Sequence, residues 1–330
     1  MKVGMIGSGM IATVFLNTFQ NKSNITVKGI WCLERQVDAA KELAAQFGVD
    51  YVDYDIDRFL TCDAFDTVYV AVINSLHYEF AKKSILAGKN VICEKPFSTT
   101  GAQAKELLDL AKEKNVILLD CTPSRYTENL QALRDAIARI GDLKIVHMAY
   151  SQYSRRYDKY LEGTVLPVFS PELAGGALYD LNIYPISLIV ELFGVPESFK
   201  YYPNIGYNGI DVSGVLMMDY GSCKAISYTA KDCAGQQQAF IQGTKGFIRI
   251  ENMPANMQDI YLTLNGEEPV KIDVVEHPDT REYMFRKMDQ LIERGEVELS
   301  HKMMEKTVET MKLMETARKD AGIFFGGAND

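Results

Sequence analysis

The sequence has no apolar run able to cross a bilayer. The longest, Ile183–Phe193, is broken by Pro185 and Glu191 and falls short of the roughly 20 residues a spanning helix needs. Positive charge is also in deficit: 35 Lys and Arg stand against 44 Asp and Glu, a net charge of −9. That field repels a phosphate backbone, so without a local basic patch nucleic acid is not expected as the main partner. Six cysteines (Cys32, Cys62, Cys93, Cys121, Cys223, Cys233) form no CxxC pair and no zinc spacing, so no metal site is expected. Most lie in apolar runs, where a thiol behaves as a small hydrophobe, and a reducing cytoplasm is the expected location. The first residues, Met1-Lys2-Val3-Gly4-Met5-Ile6, carry one basic residue and no small-residue cleavage site, so a secretory signal is not expected. Repeats and low-complexity segments are lacking too.

What remains is an ordinary globular composition, 47% apolar and 24% charged. At roughly 150 residues per domain, 330 residues suggest two domains. The first third alternates β-branched runs (2–6, 26–31, 67–73, 90–93, 116–120) with helical patterns (10–19, 38–47, 76–87, 102–114). This is the mark of a parallel sheet covered by helices. Gly48 and Gly88 stand where helices must stop, and Thr100 with Gln103 has capping-box spacing. Further on the period changes. Residues 145–153 alternate, and the pairs 214–220/223–229 and 240–242/247–250 read as hairpins of one long antiparallel sheet. Two helical stretches, 281–294 and 302–321, close the chain. The expected division is residues 1–122, a doubly wound α/β domain, and 123–330, an α+β domain, with the boundary in 121–126.

Four constellations carry chemistry. Gly7-Ser8-Gly9-Met10-Ile11-Ala12 follows the first strand and opens the first helix with GxGxxA spacing. The first Gly permits a tight turn, the second lets the backbone approach a pyrophosphate, and the small third residue packs helix on strand. At the end of the second strand, Glu34 and Arg35 stand side by side. A carboxylate there accepts from the ribose hydroxyls of NAD, and an arginine accommodates the 2′-phosphate of NADP; both readings stand. The run Cys93-Glu94-Lys95-Pro96 ends a buried strand, with Pro96 holding Lys95 extended. Strand carboxyl ends of open parallel sheets bind ligands, and an ammonium held there polarises a carbonyl or favours a phenolate. In Gly175-Gly176-Ala177-Leu178-Tyr179-Asp180-Leu181-Asn182-Ile183-Tyr184-Pro185, a helix sets Asp180 and Tyr184 on one face. Pro185 bends that helix or sits where its ladder is already disturbed. A phenol titrates near about 10, so acid–base work at neutral pH needs a cation or acceptor close by.

These pieces, with Asn74-Ser75-Leu76-His77 and the hairpin turn Gly243-Thr244-Lys245-Gly246, resemble the Gfo/Idh/MocA oxidoreductases over essentially the whole chain. Tyr184, where inositol dehydrogenases have His, looks most like the glucose–fructose oxidoreductase and dihydrodiol dehydrogenase branch. The resemblance implies a Rossmann domain and a second domain whose open-faced sheet often makes a homodimer or higher oligomer. It implies hydride transfer with NAD or NADP. Lys95 and Tyr184 would then be the catalytic pair and Asp180 would orient the substrate. Asn74, His77 and Glu94 would line the cofactor with Gly7, Ser8, Gly9, Met10, Ile11, Glu34, Arg35 and Lys95, and Arg125 would sit near the nicotinamide end. Two departures from the family pattern stand out: Asn182 in place of Gly, which narrows a pocket or adds a hydrogen-bond partner, and Ile73 in place of Pro.

The resulting expectation is an NAD(P)-dependent dehydrogenase or reductase acting on a secondary alcohol or carbonyl of a carbohydrate-like small molecule. Residues 153–169, with Tyr153, Arg155, Arg156 and Tyr157, either meet substrate hydroxyls or form a solvated loop. Two rivals differ in class: a nucleotide sensor, which has no use for a proton relay, and an NAD-dependent glycosidase, which leaves the cofactor unchanged after each cycle.

Overall fold

The computed structural model describes residues 1–252, 255–276 and 279–326. The chain divides into two units, the first made of Met1–Cys121 with Phe285–Val308, the second of Thr122–Met284 and the chain from Glu309.

The first unit is a six-stranded, all-parallel sheet. Its strands are β1 (Lys2–Ile6), β2 (Thr26–Trp31), β3 (Tyr51–Asp53), β4 (Thr67–Val70), β5 (Asn90–Cys93) and β6 (Leu118–Asp120), in the order β3-β2-β1-β4-β5-β6. The order reverses between β1 and β4, the switch point where open α/β sheets bind ligands. Between the strands run α1 (Met10–Phe19), α2 (Val37–Phe47), α3 (Ile56–Leu60), α4 (His77–Leu86) and α5 (Gly101–Lys114). Helix α1 buries Ala12, Phe15, Leu16 and Phe19, an i, i+3, i+4, i+7 stripe laid on the sheet. Gly48 ends α2 in the left-handed region, φ 67°. Thr100 caps α5 by accepting from Gln103 N, while Gln103 Oε1 accepts from Thr99 N and Thr99 Oγ1. The reciprocal arm of the box thus lands one residue early. Strand β3 and helix α3 escape the sequence reading because three and five residues are too short to show a period. Asp53 anchors them, accepting from Tyr51 Oη at 2.7 Å, Arg58 Nε at 2.6 Å and the backbone of Tyr54 and Asp55.

In the second unit, α6 (Asn129–Ile137), α7 (Tyr157–Leu161) and α8 (Ile183–Phe193) accompany eight strands: β7 (Leu143–Ser151), β8 (Ser198–Ile205), β9 (Asp211–Asp219), β10 (Lys224–Ala230), β11 (Gln238–Gly243), β12 (Gly246–Ile250), β13 (Ile260–Leu264) and β14 (Val270–Lys271). The order is β14-β13-β12-β11-β7-β10-β9-β8. It is mixed rather than purely antiparallel, since β7 and β10 pair in parallel at the centre. One face packs on α8 through Val146 and Met148 of β7 and Ala225 and Ser227 of β10. The other face presents Ile145, Val215, Met217 and Phe247 to the outside, the two-residue alternation of a half-covered sheet. The stretch 171–193 is, by length and composition, apolar enough to cross a membrane, contrary to the expectation that no segment is. Of its most apolar window 78% is buried, which makes it the core element of this unit.

Helices α9 (Thr280–Glu293) and α10 (Val297–Asp320) correct the expected division at residue 122. The chain does change unit after Cys121, but residues 285–308 return to the first unit instead of staying in a 123–330 domain. The reason is aromatic packing. The Phe285 ring lies 4.8 Å from Phe15 and 5.1 Å from Tyr69, and Phe285, Met288 and Met304 are fully buried. His301 Nε2 lies 2.9 Å from the carbonyl of Val116, and Thr307 Oγ1 donates to Asp120 at 3.1 Å.

Candidate active site

A cavity of about 320 Å³ opens in the first unit at the carboxyl ends of β1, β2 and β4. The turn after β1 contributes Gly7, Ser8, Gly9, Met10 and Ile11; the end of β2 contributes Trp31, Cys32, Leu33, Arg35 and Gln36; the segment after β4 contributes Ala71, Val72, Ile73 and Leu76. Gly7 has φ +116°, and a Cβ there would overlap the carbonyl oxygen of Ala71. Gly9 caps α1 with no side-chain cap, the first turn holds no acid, and a Cβ at Gly9 would meet nothing within 4 Å. The first N–H groups of a ten-residue helix therefore face open space with the positive end of its dipole behind them. That is a seat for a diphosphate. Trp31, the only tryptophan, is 5% exposed, and its Nε1 has no acceptor among the described residues. A buried donor without a protein partner is costly and fits a pocket built for a polar ligand. These features together fit a dinucleotide.

Of the adjacent pair Glu34 and Arg35, only Arg35 lines the cavity; both begin the short 3-10 turn Glu34–Gln36 and are exposed. Trp31, Gln36 and Leu76 line the cavity without having been expected there from sequence, since nothing in the motifs gives these side chains a coenzyme role. Asn74, His77, Glu94 and Lys95 lie outside the lining. His77 opens α4 at 1% exposure, with Nδ1 2.7 Å from the carbonyl oxygen of Pro96 and Nε2 3.2 Å from that of Val72. Burial pushes its pKa below the ordinary value, and a neutral imidazole donates through one nitrogen. His77 thus clamps the segment after β4 to the segment after β5 instead of facing the cavity. Glu94 accepts from Tyr69 Oη at 2.6 Å and from Lys95 N at 3.2 Å, which fixes the backbone from which the half-exposed Lys95 projects.

The second unit assembles the other constellation. Gly176 has φ +99° and lies so close to Asp211 that no side chain fits between them. Asp211 in turn accepts from Leu178 N at 2.6 Å and Tyr201 Oη at 2.8 Å. The next residues, Leu178–Asn182, form a π-turn leading into α8. Pro185 has no N–H, so a regular ladder fails at this point, and the wider turn takes up the fault. Asp180 and Tyr184, both half-buried, belong to this π-turn and the first turn of α8. The Tyr184 ring lies 5.6 Å from Tyr150. Asn182 narrows no pocket: it is fully buried, and its Oδ1 accepts from Ser227 Oγ of β10. Arg125 is buried with its Nε 3.3 Å from Glu191, which also takes Arg134 at 2.5 Å, so its guanidinium is engaged within its own unit. Tyr157 opens α7 and packs on Tyr160 and Phe169 at 5.8 Å each, while Arg155 and Arg156 are exposed. Lys231 was missed altogether. Just past β10 and 2% exposed, it reaches Asp180 Oδ2 at 2.9 Å. Nothing in the local sequence marks it, because its partner is 51 residues away.

A parallel sheet with an uncapped, glycine-opened helix at its switch point defines a dinucleotide-binding Rossmann protein. Comparison with known proteins makes this specific. Residues 1–120 match the family described as "Oxidoreductase family, NAD-binding Rossmann fold", and residues 130–249 match the "GFO/IDH/MocA C-terminal domain". The scyllo-inositol 2-dehydrogenase (NADP(+)) IolU of Bacillus subtilis is 30% identical over 98% of both chains. A trans-1,2-dihydrobenzene-1,2-diol dehydrogenase of Xenopus tropicalis is 26% identical over 81% of this chain and 79% of its own. Among solved structures, the 3-ketoreductase KijD10 of Actinomadura kijaniata, in complex with NADP and TDP-benzene, shares the fold with a TM-score of 0.80 at 21% identity over 97% of each chain. The chain belongs to the Gfo/Idh/MocA oxidoreductase family. It is an NAD(P)-dependent dehydrogenase or reductase acting on CH–OH groups.

Proposed function

We propose that the enzyme moves a hydride between nicotinamide and the secondary alcohol or carbonyl of a sugar, polyol or related diol, with Lys95 and Tyr184 managing the proton. The observation that carries this reading is the joint presence of Glu94-Lys95-Pro96 at the end of β5 and of Asp180 and Tyr184 around the π-turn. Full-length similarity to a relative named for an inositol, and partial similarity to one named for a diol, supports the substrate class.

When bound, the nicotinamide supplies or accepts the hydride. In the oxidative direction Tyr184 takes the proton leaving the substrate oxygen, and in the reductive direction it returns one. Lys95 stabilises the negative charge that the phenol carries in between. Asp180 accepts a hydrogen bond from a substrate hydroxyl. Arg35, the cavity-lining member of its pair, supports NADP over NAD. The uncovered face of the eight-stranded sheet supports a dimer made by two copies of this chain, and four buried free cysteines support a reducing compartment.

The test is a panel of sugars, polyols and diols followed at the reduced-nicotinamide absorbance band with both coenzymes. Turnover with net coenzyme reduction is expected, and Lys95→Ala/Tyr184→Phe should lower it by at least about 10³-fold, given that a positioned acid–base group contributes roughly 10²–10⁴-fold. Wild-type rates in that double variant overturn the assigned roles. Bond cleavage in a glycoside with no net absorbance change would make the enzyme a glycosidase.

A further inference from the structure

Lysine is almost never fully buried unless paired, and Lys231 is buried to 2% exposure. Its ammonium donates to the Val168 carbonyl at 2.6 Å and to Asp180 Oδ2 at 2.9 Å, and it lies 4.5 Å from the centroid of the Phe169 ring. Its own backbone is pinned: Lys231 N donates to the Val212 carbonyl, and its carbonyl accepts from Ser154 N. The cation is therefore fixed from the sheet side, by β9, by the aromatic turn Pro167–Phe169 and by the segment before α7.

A buried ion pair is weak evidence for stability, since well-packed apolar residues often do as well. What the pair does here is hold a carboxylate in place. Asp180 is its outer member, 23% exposed against 2% for Lys231. With Oδ2 held by Lys231, Asp180 is set as a hydrogen-bond acceptor.

We propose that Lys231 is a positioning residue for this reaction: by orienting Asp180 it selects substrates that carry a second hydroxyl donor beside the reacting carbinol. This rests on the reading above that Asp180 meets substrate. An oriented acceptor serves ground state and transition state alike, so its loss appears in KM more than in kcat.

The experiment is a double-mutant cycle of Lys231→Met and Asp180→Asn on a vicinal diol and its monodeoxy analogue, with a crystal structure of the Lys231→Met holoenzyme. For the diol, Lys231→Met should raise KM about tenfold with kcat within about threefold, and the preference over the deoxy analogue should shrink by a similar factor. In the Asp180→Asn background, Lys231→Met should add less than twofold, because coupled residues do not act additively. Lys231→Arg should recover part of the loss. In the crystal, the Asp180 carboxylate should have turned from its present place. Equal losses in both backgrounds, or an unmoved Asp180, overturn the proposal. Coenzyme affinity reports whether each variant is folded, and Lys231→Gln replaces Met if Met is not tolerated. Should the wild type turn over no polyol at all, the proposed function fails, while the position of Asp180 in the variant crystal still decides the role of Lys231.

Discussion

Gly7 and Gly9 belong to one motif, yet the structure assigns them separable tasks. Replacing Gly7 by Ala places a Cβ on the carbonyl oxygen of Ala71, 3.0 Å from its carbon and 3.3 Å from Val72 Cγ1, at φ +116°. A side chain in that backbone region costs about 1–3 kcal/mol, and displacing a backbone neighbour adds about 1–3 kcal/mol. The sum is about 2–6 kcal/mol. At roughly 2–4 °C per kcal/mol for a domain of this size, Tm should fall by at least about 4 °C. Gly9 is different: its φ is −83°, and its Cβ would meet nothing within 4 Å. Gly9→Ala should leave stability unchanged or raise it by up to about 1 kcal/mol through the unfolded chain, so Tm should not fall. Coenzyme affinity should nevertheless drop tenfold or more, because the methyl group occupies the approach to the helix terminus. Both quantities can be measured on the same samples, Tm by circular dichroism and affinity by titrating the emission of Trp31, the only tryptophan and a lining residue of the cavity. A Gly7→Ala protein with wild-type Tm, or a Gly9→Ala protein with wild-type affinity, would refute the assignment of strain to one glycine and phosphate approach to the other.

Arg35→Ala should weaken NADP about tenfold in the same titration and NAD less than twofold, the size of one charge-assisted contact; equal losses would remove Arg35 from coenzyme choice. Trp31→Phe should abolish the emission change while isothermal calorimetry still detects coenzyme, with weaker binding if its buried indole N–H finds an acceptor there. Asp53→Asn should destabilise the first unit by about 1–3 kcal/mol at pH 7. The Arg58 guanidinium and the donors around it hold the Asp53 carboxyl well below the usual range. Its stabilisation is therefore complete above the unfolded pKa of about 4 and disappears as pH falls through the lower folded value. Denaturant midpoints of the two proteins should differ at pH 6 and converge under strong acid; a pH-independent difference would show that the charge is irrelevant. For the proposed pairing through the open sheet face, light scattering should give a dimer's mass for the wild type and a monomer's for Met217→Glu; an unchanged mass in the variant would refute pairing through that face.

Local chemistry was enough to read much of this protein. The boundaries of β1, β2, β5 and α1 follow from runs whose period and flanking glycines leave one solution, and the phosphate seat follows from three small residues between a strand and a helix. The π-turn was foreshadowed by Pro185, since an imide cannot join the ladder. Other features depend on which distant residue arrives next to which. His77 carries the sequence signature of a coenzyme-side residue, but two carbonyls from separate loops close over it. Asn182 faces the sheet because Ser227 waits there. Phe285 returns to the first unit because Phe15 and Tyr69 offer an aromatic pocket that no periodicity in α9 announces. Lys231 looks like any surface lysine until the fold encloses it beside Asp180. Backbone propensity and spacing are properties of neighbours along the chain, so the sequence alone determined the elements and the motif types. Burial, pairing and the solvation of a charge are properties of neighbours in space, and only the tertiary structure decided them.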